Sequence, residues 1–132
     1  MGKIFSKIVM FVMFVMPLLS ISAARAERDL FFSTIEDLPM VPKTTEDMDA
    51  ALVFETASGR VAEGYASGQV AKITVQQFYN ATLPQLGWTR IAVDKFIREG
   101  EILKIDFSAP VLSKGGQKTQ YLVYHVRLAP RP

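Results

Sequence analysis

From Ala51 onward the apolar residues follow a period of two, then a helical period, then a period of two again. Ala51 to Thr56 (ALVFET) and Arg60 to Ala66 (RVAEGYA) read as strands. They are joined by Ala57-Ser58-Gly59, where Gly59 can adopt the positive φ of a tight hairpin. Ala62, Gly64 and Ala66 fall on one face of the second strand, a small-residue surface that lets a helix approach closely. A helix follows. Thr74 and Gln77 have capping-box spacing, Val75, Phe78, Tyr79 and Thr82 or Leu83 recur at helical intervals, and Gln76, Gln77 and Asn80 lie outward. Pro84 removes a donor from the last turn, so the helix is expected to end near Leu86 with Gly87 as a left-handed cap.

The remainder reads as sheet. Trp88 to Val93 and Lys95 to Arg98 are short strand segments broken near Asp94, and Glu99-Gly100 turns the chain into Glu101 to Phe107. Leu103, Ile105 and Phe107 alternate with Ile102, Lys104 and Asp106. After a loop containing Lys114-Gly115-Gly116, Gln120 to Leu128 places Leu122, Tyr124, Val126 and Leu128 on one face and Tyr121, Val123, His125 and Arg127 on the other. Matching the two apolar faces sets Ile105 opposite Leu122 and Leu103 opposite Tyr124, with Asp106 facing Tyr121 and Ile102 facing His125; a slip of two residues preserves the faces. The expected architecture is α+β: an antiparallel sheet of about five strands in the order ββαβββ, with one helix packed on one face.

Upstream, Glu27 to Asp49 has no sustained period. Pro39 and Pro42 bias Leu38 and Val41 towards extended geometry, so this stretch reads as an extended arm anchored by Leu38, Met40 and Val41, with Phe31 and Phe32 packing on the domain. Residues 1–26 have the three parts of an export signal: Lys3 and Lys7, the apolar run Ile8 to Leu19, and small residues ending in Ala24-Arg25-Ala26. Cleavage is expected before Glu27, with Ser22 to Ala24 as the alternative site. An uncleaved membrane anchor is the competing reading. From Ile8 to Ala24 the segment has 17 residues with Pro17 inside, at the short limit for a bilayer span. No cysteine follows it, which closes the route to an acylated lipoprotein. The division expected is signal peptide 1–26, arm 27–49 and α+β domain 50–132.

The leader changes the charge balance. The chain has 15 basic and 13 acidic residues, but Lys3, Lys7 and Arg25 belong to the leader, leaving 12 against 13. A basic footprint for nucleic acid is therefore missing. Glu27 to Gly64 carries nine acids and three bases, whereas Tyr65 to Pro132 carries four acids and nine bases. The expected reason is mutual neutralisation of two halves that pack together, the alternative a basic face for an anionic envelope partner.

Catalytic groups are sparse. Glu99 and Glu101 flank a solvated turn, where their pKa values stay ordinary, and Asp94 with Lys95 reads as another turn. His125 is the sole imidazole, so a hydrolase would have to use it with Asp106, reached on the diagonal across the strands. No serine has nucleophile-elbow spacing, and one histidine with scattered carboxylates makes a poor metal site. Lys114-Gly115-Gly116 lacks the spacing of a phosphate loop, and Asn80-Ala81-Thr82 places a glycosylation sequon within the helix. Trp88 reads as core.

Three segments, Asp37-Leu38-Pro39-Met40-Val41-Pro42, Phe78 to Trp88 (FYNATLPQLGW) and Phe96 to Glu101 (FIREGE), resemble segments of small exported proteins of alphaproteobacteria. The resemblance covers most of the chain after the leader. It implies an envelope location and a single domain, and carries across no catalytic residue. The expectation is a non-enzymatic, periplasmic or secreted module without cofactor or metal. It binds a protein or envelope component through Lys104, Tyr121, Val123 and His125 or through the arm. The competing readings are the His125–Asp106 hydrolase and a membrane-anchored accessory protein.

Overall fold

A computed structural model describes residues 30–108, 111–112 and 120–132. The leader with its cleavage site or anchor, and the Lys114-Gly115-Gly116 loop, lie outside the described residues. The chain order is β1 (Thr44–Glu46), β2 (Leu52–Thr56), β3 (Gly59–Gly68), α1 (Lys72–Thr82), a 3₁₀ turn (Leu83–Leu86), β4 (Thr89–Ala92), β5 (Lys95–Arg98), β6 (Glu101–Phe107), β7 (Val111–Leu112) and β8 (Gln120–Pro130). The α+β class holds, and among the described residues there is one α-helix and every strand pairing is antiparallel.

The sheet is larger than the expected five strands. Its order is β1–β3–β8–β6–β5–β4, β2 continues the β1 edge alongside β3, and the two-residue β7 pairs separately with the start of β8. β1 lies within the stretch read as an extended arm. Its three residues (TTE) hold to β3 by backbone pairing, Thr44↔Gly68 to Glu46↔Ala66, and bury no apolar side chain, so hydropathy gives it no signal.

The β6–β8 register differs from the expected one by four residues: Ile105 pairs with Val126, Leu103 with Leu128, Phe107 with Tyr124, and Asp106 with His125. A slip of an even number of residues keeps both faces, so alternation alone does not select between them. Packing does select. The expected register would set Val126 against Glu101 and leave Leu128 beyond the end of β6, whereas the observed one covers both with Ile105 and Leu103. β8 accordingly runs on to Pro130, and Arg131 N donates to Gly100 O at 2.7 Å.

One face of this sheet carries the core. Ala62, Ala66, Phe96, Leu103, Ile105, Leu122, Tyr124, Val126 and Leu128 are buried there against Val75, Tyr79 and Leu83 from the helical segment. The upstream arm shares that face, and Phe32, Ile35, Leu38, Met40 and Val41 are all buried, whereas Phe31 is exposed. Part of the expected helix contact belongs to the arm. A Cβ on Gly64 would lie 2.6 Å from Phe32 Cδ1, so the small-residue face of β3 receives the Phe32 ring at that position.

The helix begins earlier than the capping-box spacing indicates. Its N-cap is Ala71, with no side-chain cap, and Thr74 lies within the first turn, its N–H bonded to Ala71 O at 3.0 Å. The other end matches expectation. The 3₁₀ turn carries Pro84 near its start and closes on Gly87, whose φ of 86° is left-handed. Gly87→Ala is expected to destabilise the fold by about 1 kcal/mol, read as a lower urea midpoint at unchanged slope.

Candidate functional site: the open sheet face

Because strands expose alternate residues to opposite faces, the other side of the sheet is set by the same registers. Three rows of side chains cross it. Phe54 of β2 opposes Val61, Ala129 opposes Ile102, and Ile102 opposes Ile97, giving an apolar row. The next row is ionic: Glu63 opposes Arg127, Arg127 opposes Lys104, and Lys104 opposes Lys95. The third joins Tyr65, His125 and Asp106. Val123 and Tyr121 follow along β8. Among the described residues, helix and arm both pack on the opposite face, so this one is open.

The four residues singled out from sequence, Lys104, Tyr121, Val123 and His125, therefore share one face. Lys104 and Tyr121 are exposed, and Val123 and His125 are half-buried. Directly opposed cations repel. Arg127, Lys104 and Lys95 stand in that arrangement, and two of them are neutralised nearby: Arg127 Nε is 3.3 Å from Glu63 Oε1, and Lys104 Nζ is 3.1 Å from Asp106 Oδ1.

His125 has a different partner from the one expected. Asp106 is directly opposite it rather than diagonal, but the Asp106 carboxylate is held by Lys104. The carboxylate beside the imidazole is Glu63, with Oε2 3.5 Å from His125 Nε2, and that nitrogen is shielded from solvent. The Tyr65 ring stacks on the imidazole at 4.2 Å between centroids, 6° from parallel. Glu63 thus lies between Arg127, with which it pairs, and His125, whose Nε2 has no hydrogen-bond partner among the described residues, while Tyr65 covers the ring. Among the described residues no hydroxyl is hydrogen-bonded to His125, and no cluster of three or more His, Asp or Glu side chains has metal-binding geometry. Glu63 and Tyr65 were not singled out in the sequence, although their period-two spacing with the buried Ala62, Gly64 and Ala66 already assigns them to the opposite face.

A second feature is an open groove of about 530 Å³ between the 3₁₀ turn and the β5–β6 turn, lined by Asp37, Gly87, Arg98, Glu99 and Arg131 among others. Its central cation is committed to the fold. Arg98 lies over the Trp88 ring at 4.3 Å, donates to Leu86 O at 3.0 Å and forms an ion pair with Asp37. It ties the arm to the helical segment. Trp88 is buried, as expected.

Comparison with known proteins finds no matching family model, and neither curated proteins nor solved structures yield a match. No helix among the described residues is long and apolar enough to cross a membrane.

Proposed function

We propose that this chain is an exported, non-enzymatic module that binds a protein or other component of the bacterial envelope through the open sheet face around Lys104, Tyr121, Val123 and His125. The observation that carries this reading is the asymmetry of the sheet. One face is packed by helix and arm, while the other presents an apolar row beside an ionic row and an aromatic one. Mixed apolar, aromatic and charged composition is what protein-binding surfaces use. The arm, the other candidate surface, directs Phe32, Ile35, Leu38, Met40 and Val41 into the core, so the reading rests on the face. The leader in residues 1–26 supports the exported location.

Photo-crosslinking in intact cells tests it. Probes replacing the exposed Lys104 and Tyr121 are expected to yield the same discrete adduct, and a probe at the exposed Gln77 on the helix is expected to yield none. Adducts of equal yield from all three positions, or none at Lys104 and Tyr121, would rule out the sheet face as the binding surface.

A further inference from the structure

The two edges of the sheet are built differently. At one, β4 has four residues, its pairing with β5 slips between Arg90 and Ala92, and Arg90 Nε donates to Ala92 O at 3.3 Å. An irregular register and an in-strand cation both discourage an edge from pairing further. At the other, β2 runs beside β3 without a slip, from Leu52↔Glu63 to Thr56↔Gly59, and contains neither Lys nor Pro. Among the described residues no strand pairs with its outer side.

The side chains of β2 are not explained by the core. Leu52, Val53 and Phe54 are 46%, 49% and 44% exposed, and alternation distributes them over both faces. Isolated exposed apolar residues are ordinary, but three in succession on an unprotected edge form a template for strand pairing. Charge selects the partner. Between Lys43 and Arg60 the chain carries Glu46, Asp47, Asp49 and Glu55 and no cation; Arg60 stands opposite Glu55 across the pair, but its guanidinium lies 3.9 Å from Glu101. Glu46 accepts from Ser33 N at 3.0 Å and Ser33 Oγ at 2.9 Å, and Asp47 Oδ1 accepts from Asp49 N at 3.1 Å, which leaves the exposed Asp49 and Glu55 carboxylates beside the edge.

The geometry points to β2 as an acceptor for a strand added by another protein: an extended segment, apolar where it meets Leu52 and Phe54, and bearing Lys or Arg where it meets Glu55. Backbone hydrogen bonds along the edge supply affinity, and the two alternating side-chain rows supply selectivity. A second copy of β2 carries Glu55 and no Lys or Arg, so it brings no cation to this acidic edge, which favours a basic strand from elsewhere. The edge borders the open sheet face, since Leu52 stands opposite Glu63 and Phe54 opposite Val61, so the two sites are told apart by residues each uses alone: Glu55 at the edge, Lys104 and Tyr121 on the face.

The test uses the protein as isolated from its cells and two short fluorescent peptides, one alternating Val with Lys and the other Val with Glu. The Lys peptide is expected to bind at least about tenfold tighter, to lose affinity as salt rises, and to slow amide exchange across Leu52–Thr56 and not across Thr89–Ala92. Glu55→Gln, at an exposed position, is expected to weaken it several-fold with an unchanged thermal midpoint, whereas Tyr121→Ala leaves it intact. Equal affinity for the two peptides, protection at β4, or no protection at β2 would overturn the assignment. Protection of β2 that grows with protein concentration alone would replace it with self-pairing.

Discussion

Replacing Phe32 with alanine is expected to lower the unfolding free energy by about 3–5 kcal/mol, a large share of what a domain of this size possesses. Phe32 is 1% exposed although it lies in the arm, outside every strand and helix. Its ring meets Tyr124 edge-on at 6.1 Å and lies against the bare backbone of Gly64. Its own backbone is fixed by a hydrogen bond from Phe32 N to Leu38 O at 3.0 Å. The arm therefore behaves as part of the core, and removing this ring should open a cavity between arm and sheet. Urea unfolding should show a lower midpoint with little change in slope.

Gly64 provides a sharper form of the same test. In the native background Gly64→Ala puts a methyl group 2.6 Å from Phe32 Cδ1, and overpacking of this kind costs about 1–3 kcal/mol. In the Phe32→Ala background the nearest remaining atom is Val126 Cγ2 at 3.3 Å, so the penalty should largely vanish. The two substitutions are thus expected to couple, in the range of about 0.5–3 kcal/mol for residues in contact. Strict additivity in the four-way cycle would mean that ring and glycine are not packed together.

Phe32 also shows where sequence reading succeeds and where it stops. The period-two rows of β3, β6 and β8 and the helical spacing of Val75 and Tyr79 each report which side of an element faces the core, and the structure follows them except that Val61 is buried on the opposite face of β3 and Phe107 only partly buried at the end of β6. Periodicity does not report which element covers which. The face of Ala62, Gly64 and Ala66 was expected to receive the helix, yet at Gly64 it receives Phe32 from a stretch with no period. Register is lost for a related reason. The even slip between β6 and β8 leaves every residue on its own face, and the segment joining the two strands is too long for turn geometry to fix the pairing. The site shares this limit: the shared face of Lys104, Tyr121, Val123 and His125 was legible, but the identity of the carboxylate beside His125 depended on the register of β3 against β8.

Alkaline pH is expected to destabilise the fold through Tyr79, and Tyr79→Phe to remove that dependence. Tyr79 is fully buried, and its hydroxyl donates to Pro39 O at 2.9 Å, joining helix to arm. Burial, reinforced by the charge that Tyr124 would carry when ionised, raises its pKa well above the usual phenol value. Below pH about 10 the phenol is protonated in both folded and unfolded chains, and the group adds no pH dependence. Above that, the unfolded chain releases the proton while the folded chain retains it. The unfolded state then binds fewer protons, and stability falls with a slope approaching about 1.4 kcal/mol per pH unit. Tyr79→Phe gives up the bond to Pro39 O, at about 0.5–1.5 kcal/mol near neutral pH, but has no proton to release. The stability curves of the two proteins should therefore converge as pH rises above about 10 and then cross, measured by urea unfolding at a series of alkaline pH values. Parallel curves would show that Tyr79 ionises as readily in the folded chain as in the unfolded one, and that the contact between helix and arm is open to water.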